Sequence, residues 1–187
     1  MKKNLSVSIK LTVAMILLCA VVFPLLISFI GKLTPGSGKG EKLSVNGKVV
    51  GYANIGQQFT GDNYFQGRPS AVDYNAASSA GSNKGPSNPD YLQVVSDRID
   101  SFLAHNPGVN KEQIPADLVT ASGSGLDPDI SPEAALVQVY RVAVARKLDP
   151  QKVNDLVYRH IEAPLAGMFG PSKVNVLKLN IALDEIQ

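Results

Sequence analysis

Hydrophobic positions are distributed along this chain in two different ways. Residues 11–30, LTVAMILLCAVVFPLLISFI, form an unbroken apolar run without Asp, Glu, Lys, Arg or His, whereas from Gly31 onward apolar residues return only at intervals among polar ones. The run has about the 20 residues that a helix needs to cross a ~30 Å hydrocarbon core. The pattern predicts a single-pass protein of the plasma (inner) membrane: a short cytoplasmic tail over 1–10, a transmembrane helix over 11–30, a flexible linker over 31–42 and one exported domain over 43–187. Lys2, Lys3 and Lys10 favour a cytoplasmic N-terminus, although Lys32, Lys39 and Lys42 follow on the other side. Two arguments keep the C-terminal domain extracytoplasmic: a tail of about ten residues is too short to fold, and long domains translocate largely regardless of charge. A cleaved signal peptide is the competing reading. Its apolar region is shorter and ends in a small-x-small site, which Phe29-Ile30-Gly31-Lys32 does not provide. Pro24 removes one helical hydrogen bond and predicts a kink.

Beyond the linker GKLTPGSGKGEK the elements announce themselves by turn and cap residues. Asn46-Gly47 between two β-prone runs predicts a hairpin near 43–53. From Gly61 to Pro89 the chain is rich in Gly, Ser, Asn, Pro and Tyr and has little periodicity; Tyr64, Phe65 and Tyr74 supply apolar anchors for an ordered, irregular surface segment. Asn88-Pro89 opens a helix to about His105, Ser131-Pro132-Glu133 opens a second through residue 147, and Asp149-Pro150 opens a third ending before Pro164. In the second, Glu133, Gln138 and Arg141 make a narrow polar stripe on a helix wrapped by the rest of the domain. Alternation at Leu177, Leu179, Ile181 and Leu183 predicts a closing strand over 174–183. The fold class is α+β, without the repeating βαβ pattern of a doubly wound sheet.

Composition narrows the chemistry. The only cysteine, Cys19, lies in the apolar run, so no disulfide can form within the chain, and the formal charge of +2 without an aromatic-interleaved basic stripe gives no support to nucleic-acid binding. Zinc-type sites need several Cys or His ligands, and the domain has only His105 and His160. Asp127-Pro128-Asp129 falls short of a calcium loop and reads as a turn leading to the Ser131 cap. Around Ser122 and Ser124 the sequence Thr120-Ala121-Ser122-Gly123-Ser124-Gly125 lacks the first glycine of a nucleophile elbow, and nothing nominates a base. Gly36-Ser37-Gly38-Lys39 lacks both the first glycine and the Ser/Thr of a phosphate-binding loop. Residue chemistry alone points away from an enzyme.

Several separated blocks in order carry a resemblance. They are Tyr64-Phe65-Gln66-Gly67-Arg68-Pro69-Ser70-Ala71, then Ser79-Ala80-Gly81-Ser82-Asn83 with Gly85-Pro86-Ser87-Asn88-Pro89, then Pro115 through Pro128. With Gln138-Val139-Tyr140-Arg141-Val142-Ala143 and Val174-Asn175-Val176-Leu177, they resemble the C subunit of the Kdp-type potassium-transporting P-type ATPase, over nearly the whole chain.

That resemblance implies a non-catalytic accessory subunit needed for assembly and stabilisation of an ATP-driven potassium uptake pump. Its implied partners are a channel-like potassium-binding subunit, a P-type ATPase subunit and the membrane. No cofactor is expected on this chain itself, ATP and potassium being handled by the partners. The family is described as a catalytic chaperone that raises the ATP affinity of the ATPase subunit. With the domain exported and ATP in the cytosol, such an effect would be indirect. Residues expected at the partner surface are Tyr64, Phe65, Arg68, Ser82, Asn83, Ser122, Ser124 and Asp127. Arg68 is expected to pair internally with Asp73, with a partner carboxylate as the alternative. The nearly uncharged stretch 70–88 offers hydroxyls and carbonyls to a partner loop or to a weakly held potassium ion; a rigid loop whose Asn, Ser and Gly serve turn geometry is favoured over ion contact. Two other classes compete: an independent membrane-anchored extracellular binding module, and an anchored hydrolase acting through Ser122 or Ser124.

Overall fold

The structure, a computed structural model, describes residues 2–186, which divide between Lys42 and Leu43 into two compact units. The first unit is a helix that is already wound at Lys2: α1 (Lys2–Ile16), a π-helical stretch (Leu17–Val22) and α2 (Phe23–Lys32). Residues Asn4–Lys32 are long and apolar enough to cross a membrane, and no side chain of this span is buried by the rest of the chain. Pro24 is accommodated by the widened turn in front of it. Phe23 N–H reaches back five residues to the Leu18 carbonyl, so the helix passes through Val22 and Phe23 with helical dihedrals where the sequence predicts only a kink. Successive turns at 33–39 follow, with Gly36, Gly38 and Gly40 at positive φ.

The second unit opens with the hairpin β1 (Lys42–Val45) and β2 (Lys48–Tyr52). Asn46 (φ 50°) and Gly47 (φ 78°) both sit left-handed, as a type I′ turn requires. Residues 53–88 then contain turns and bends but no helix or strand. α3 (Pro89–His105) starts where its signals place it, with Asn88 Oδ1 accepting from Tyr91 N at 3.0 Å and Pro89 in the first turn. Two short 3₁₀ turns, Lys111–Gln113 and Ala116–Leu118, lead to β3 (Asp129–Ile130).

The expected helix over 131–147 is two: α4 (Pro132–Leu136) and α5 (Val139–Arg146). Gln138 divides them. Its side-chain Nε2 donates to the Ala134 carbonyl at 2.9 Å, the acceptor its own backbone N–H would use in a continuous helix, and that N–H turns instead to Ala135 O. α6 (Pro150–Arg159) follows, capped by Asp149 as its sequence predicts.

β4 (Ile161–Glu162) and β5 (Lys173–Asn175) pair antiparallel, Ile161 with Val174 and Glu162 with Lys173. β3 joins the other edge of β5, giving the order β3-β5-β4. The strand expected over 174–183 ends at Asn175, and α7 (Val176–Glu185) continues in its place. The buried positions Val176, Leu179, Asn180 and Leu183 follow the spacing i, i+3, i+4, i+7 of one helix face, and Asn175 caps it by accepting from Lys178 N. The alternation at 177, 179, 181 and 183 is a coincidence of a helix that is apolar on more than one side.

α4 to α7 and the small sheet enclose one core, built on Val142, Val153, Val157, Val174, Leu179 and Leu183, with Phe65 from the irregular segment inserted among them. The unit is mixed helix and sheet, with the strands confined to short edges.

Candidate docking surface

Four buried polar side chains hold the irregular segment against the core. Asn180 Oδ1 accepts from Phe65 N and its Nδ2 donates to Phe65 O, both at 2.9 Å, a strand-like pair made by a side chain. Gln138 does the same for the next residue, accepting from Gln66 N at 2.8 Å and donating to Gln66 O at 3.1 Å. Asn175 Nδ2 donates to Ala53 O at 2.7 Å.

Arg141 is the centre of this set. Its Nη1 donates to the carbonyls of Asp62 (2.9 Å) and Tyr64 (3.1 Å), its Nη2 to Gln138 Oε1 (2.6 Å), and its Nε to Asn106 Oδ1 (3.0 Å). Burial lowers the Arg141 pKa, opposed by the Asp62 carboxylate 3.7 Å away. Of the narrow polar stripe Glu133, Gln138 and Arg141, the last two are buried and only Glu133 is exposed, so the segment is wrapped on its polar side as well. Their polarity serves backbone that has no ladder of its own.

So fixed, residues 68–81 lie along the loop 122–127. Arg68 pairs with Asp127 at 3.1 Å; this, and not Asp73, is its internal partner. Ser70 Oγ donates to Gly125 O at 2.7 Å while accepting from Tyr74 N, and Ser79 Oγ donates to Ser124 O at 2.8 Å. Ser122 N–H donates to Pro69 O at 3.0 Å, and the Tyr74 hydroxyl donates to Arg68 O. Burial, reinforced by the charge of Asp127, raises the Tyr74 pKa above its usual 10.0.

The approach is close enough to require glycine. A Cβ on Gly125 (φ 68°) would lie 2.8 Å from Ala80 O and 2.5 Å from Val72 Cγ2, and one on Gly81 would lie 2.9 Å from Gly123 O. Three of the sequence blocks singled out above, 64–71, 79–83 and 115–128, thus meet in one surface.

The expected site residues divide within it. Phe65 is 0 % and Ser122 2 % exposed, so neither side chain can meet a partner: Phe65 belongs to the core and Ser122 contributes its backbone to the loop pairing. Asn83 and Ser124 are exposed, while Ser82, Arg68 and Asp127 are half-buried on the same paired segments. Tyr64 is half-buried elsewhere, under the Arg146 guanidinium at 4.6 Å and bonded to Asp184. Ser124 Oγ accepts from Leu126 N, and Asp127 Oδ1 from Asp129 N, so both also shape the loop.

Of the two histidines, His105 Nδ1 meets Asp62 at 2.9 Å and His160 Nδ1 meets the Leu156 carbonyl at 2.8 Å. Among the described residues no cluster of three His, Cys, Asp or Glu could hold a metal. Beside the rim a cleft of about 380 Å³ opens between α3 and the 58–74 segment, with Arg68, Asp73, Tyr74 and Arg98 among its walls. Sequence reasoning missed Gln138, Arg141, Asn175 and Asn180; the available signal was polar residues recurring within otherwise apolar helical faces.

An N-terminal helix long and apolar enough to cross a membrane, followed by a mixed α+β unit with a polar, hydrogen-bonded rim, defines a class: a single-helix protein whose mass lies in one mixed domain. Comparison makes it particular. Residues 5–185 match the family model KdpC, described as K+-transporting ATPase, c chain. The chain is 59 % identical to the potassium-transporting ATPase KdpC subunit of Flavobacterium johnsoniae, covering 99 % of this chain and 100 % of the relative. It is 51 % identical to that of Bacteroides fragilis strain YCH46 (99 % and 98 % covered) and 47 % identical to that of Caldanaerobacter subterraneus subsp. tengcongensis (99 % and 96 %). The chain belongs to the KdpC family and is a subunit of a potassium-transporting ATPase.

Proposed function

We propose that this chain is the non-catalytic assembly and stabilising subunit of its pump, anchored by the apolar helix with its N-terminus in the cytoplasm and its domain outside. Its partners in this reading are the channel-like potassium-binding subunit and the P-type ATPase subunit. The observation that carries the reading is the rim formed by 68–83 against 122–127. It is fixed in advance by side-chain and backbone hydrogen bonds, and its surface is made of hydroxyls, amides and carbonyls, with Arg68 and Asp127 paired and the exposed Asp73 as the one further charge. A pre-ordered rim docks without the entropy cost that a flexible loop would incur. Asn83, Ser124 and Ser82 are the outward contacts, with Arg68 and Asp127 holding the shape and Tyr64 a separate contact near the Arg146–Asp184 pair.

ATP is cytosolic, so an effect on the ATP affinity of the ATPase subunit passes through the membrane subunits in this topology. The test is purification of the pump in mild detergent with the wild-type chain or with Ser124→Arg and Asn83→Arg together. Wild type is expected to recover both membrane subunits with potassium-stimulated ATP hydrolysis. The double variant is expected to anchor normally but to lose most of the complex. Full recovery and an unchanged KM for ATP would contradict the docking and chaperone readings together. The cleft beside the rim is the feature that favours a free-standing binding module as the second reading. A chain purified as a lone monomer from native membranes would support it.

A further inference from the structure

The connection between β4 and β5 carries large apolar side chains away from the protein. Leu165 and Met168 are each 77 % exposed and Phe169 65 %, the highest of the large apolar residues in the second unit. The loop is shaped to present them. Leu165 and Phe169 exchange both backbone hydrogen bonds at 3.0 Å, and Gly167 N–H and Met168 N–H fold back to Pro164 O and Leu165 O. Ala166 (φ 54°), Gly167 (φ 73°) and Gly170 (φ 84°) supply the left-handed turns that close so tight a hairpin. From 163 to 172 there is no charged residue. Single exposed apolar residues are ordinary on a protein surface, but three gathered on one built turn mark a contact.

We infer that this prong inserts shallowly into a lipid surface, the interfacial region of the membrane that the N-terminal helix spans. The inference rests on the membrane-anchored reading above. Two observations favour lipid over a protein pocket. The prong stands clear of its surroundings, since a Cβ on Gly167 or Gly170 would meet nothing within 4 Å, and a fluid interface takes such an apolar tip without needing a matching cavity. The chain also supplies its own proximity. The segment 33–41 reaches at most about 30 Å when fully extended, and a domain of this size has a radius of gyration of about 15 Å. Tethering of that kind converts weak insertion into an intramolecular event at high effective concentration. Insertion at the prong would restrict how the domain turns on its tether.

The chain contains no Trp, so Phe169→Trp introduces a single fluorophore at the tip. The full chain alone is placed in nanodiscs of phosphatidylethanolamine and phosphatidylglycerol, with and without acyl chains brominated close to the headgroup. Leu26→Trp within the span is the control, and Met168→Trp is a second reporter of the tip. The expected result is blue-shifted emission from both tip variants and loss of most of it on bromination. Water-like, unquenched emission from the tips, with Leu26→Trp quenched, would overturn the inference and leave the anchor standing. Absence of quenching at Leu26→Trp would overturn the anchor and the inference together. Tips exposed in nanodiscs yet shielded in the assembled pump would assign the prong to a protein partner and also overturn the inference.

Discussion

The long irregular segment 53–88 and the short loop 163–172 both lack regular structure, yet they are held in opposite ways. The first is polar and is ordered by side chains from other elements: Arg141, Gln138, Asn180 and Asn175 take the place of neighbouring strands for its backbone. The second is apolar, and its ordered backbone contacts lie within the loop itself. The contrast shows that segments without helix or strand can be fixed in two ways, by side chains from elsewhere or by their own turns. What decides is whether buried donors and acceptors elsewhere in the fold meet a segment's main chain. In the two proposals above, the contrast also separates two kinds of contact surface, one shaped before its partner arrives and one whose apolar side chains are exposed until they meet lipid.

The comparison can be broken at several points. The largest effect is expected from Arg141→Ala, which leaves the part-buried carbonyls of Asp62 and Tyr64 and the buried Asn106 Oδ1 without this donor, and leaves Gln138 Oε1 with Gln66 N–H only. A loss of about 3–5 kcal/mol in urea unfolding of the domain is expected, the range for breaking a buried charged network. A loss within surface-mutation range would mean that Phe65, Asn180, Gln138 and Asn175 hold the segment without Arg141. Gly125→Ala should come next, at about 1–3 kcal/mol, because a left-handed backbone and a contact with Ala80 O both oppose the added methyl. This variant should also weaken recovery of the pump, as the rim would have to open.

Alkaline pH provides a smaller perturbation of defined sign. Burial and Asp127 raise the folded pKa of Tyr74 above 10.0, and the Asp129 hydrogen bond, outweighing partial burial, raises that of Lys173 above 10.5. In both cases the folded state holds its proton more tightly than the unfolded chain. Stability is therefore untouched below pH 10.0 and falls as pH rises through the folded values. Tyr74→Phe should flatten part of that fall, read as unfolding midpoints on either side of pH 10.0. An equal fall in the variant would remove Tyr74 from the account. Phe169→Ser should have the smallest effect, within about 0.5 kcal/mol, since its side chain is largely in solvent. A large destabilisation would show that the prong packs on the domain.

Local signals in the sequence were read well where a single residue decides the backbone. Asn46-Gly47 specified its turn, and Asn88-Pro89 and Asp149-Pro150 their helix starts, because caps and left-handed turns depend on near neighbours. The break at Gln138 escaped notice because it arises when a side chain takes its own helix's carbonyl while serving Gln66, 72 residues away. The helix α7 was mistaken for a strand because its apolar residues also fall at alternate positions; the Asn175 cap was the missed signal. In the candidate site, the blocks were found but not their geometry. Arg68 was matched to nearby Asp73, whereas the fold brings Asp127 to it across 59 positions. Phe65 acts as the apolar anchor its side chain suggests and not as a partner contact, while nothing local in the sequence marks Ser122 as buried.

Hydrogen exchange of the full chain in nanodiscs, without any partner subunit, tests the central claim most directly. The amides of Phe65 and Gln66, bonded to Asn180 Oδ1 and Gln138 Oε1, should exchange as slowly as those of α5 and α6 despite lying in a segment without helix or strand. Exchange of both at the rate of an unstructured peptide, becoming slow only in the assembled pump, would contradict a surface prepared in advance.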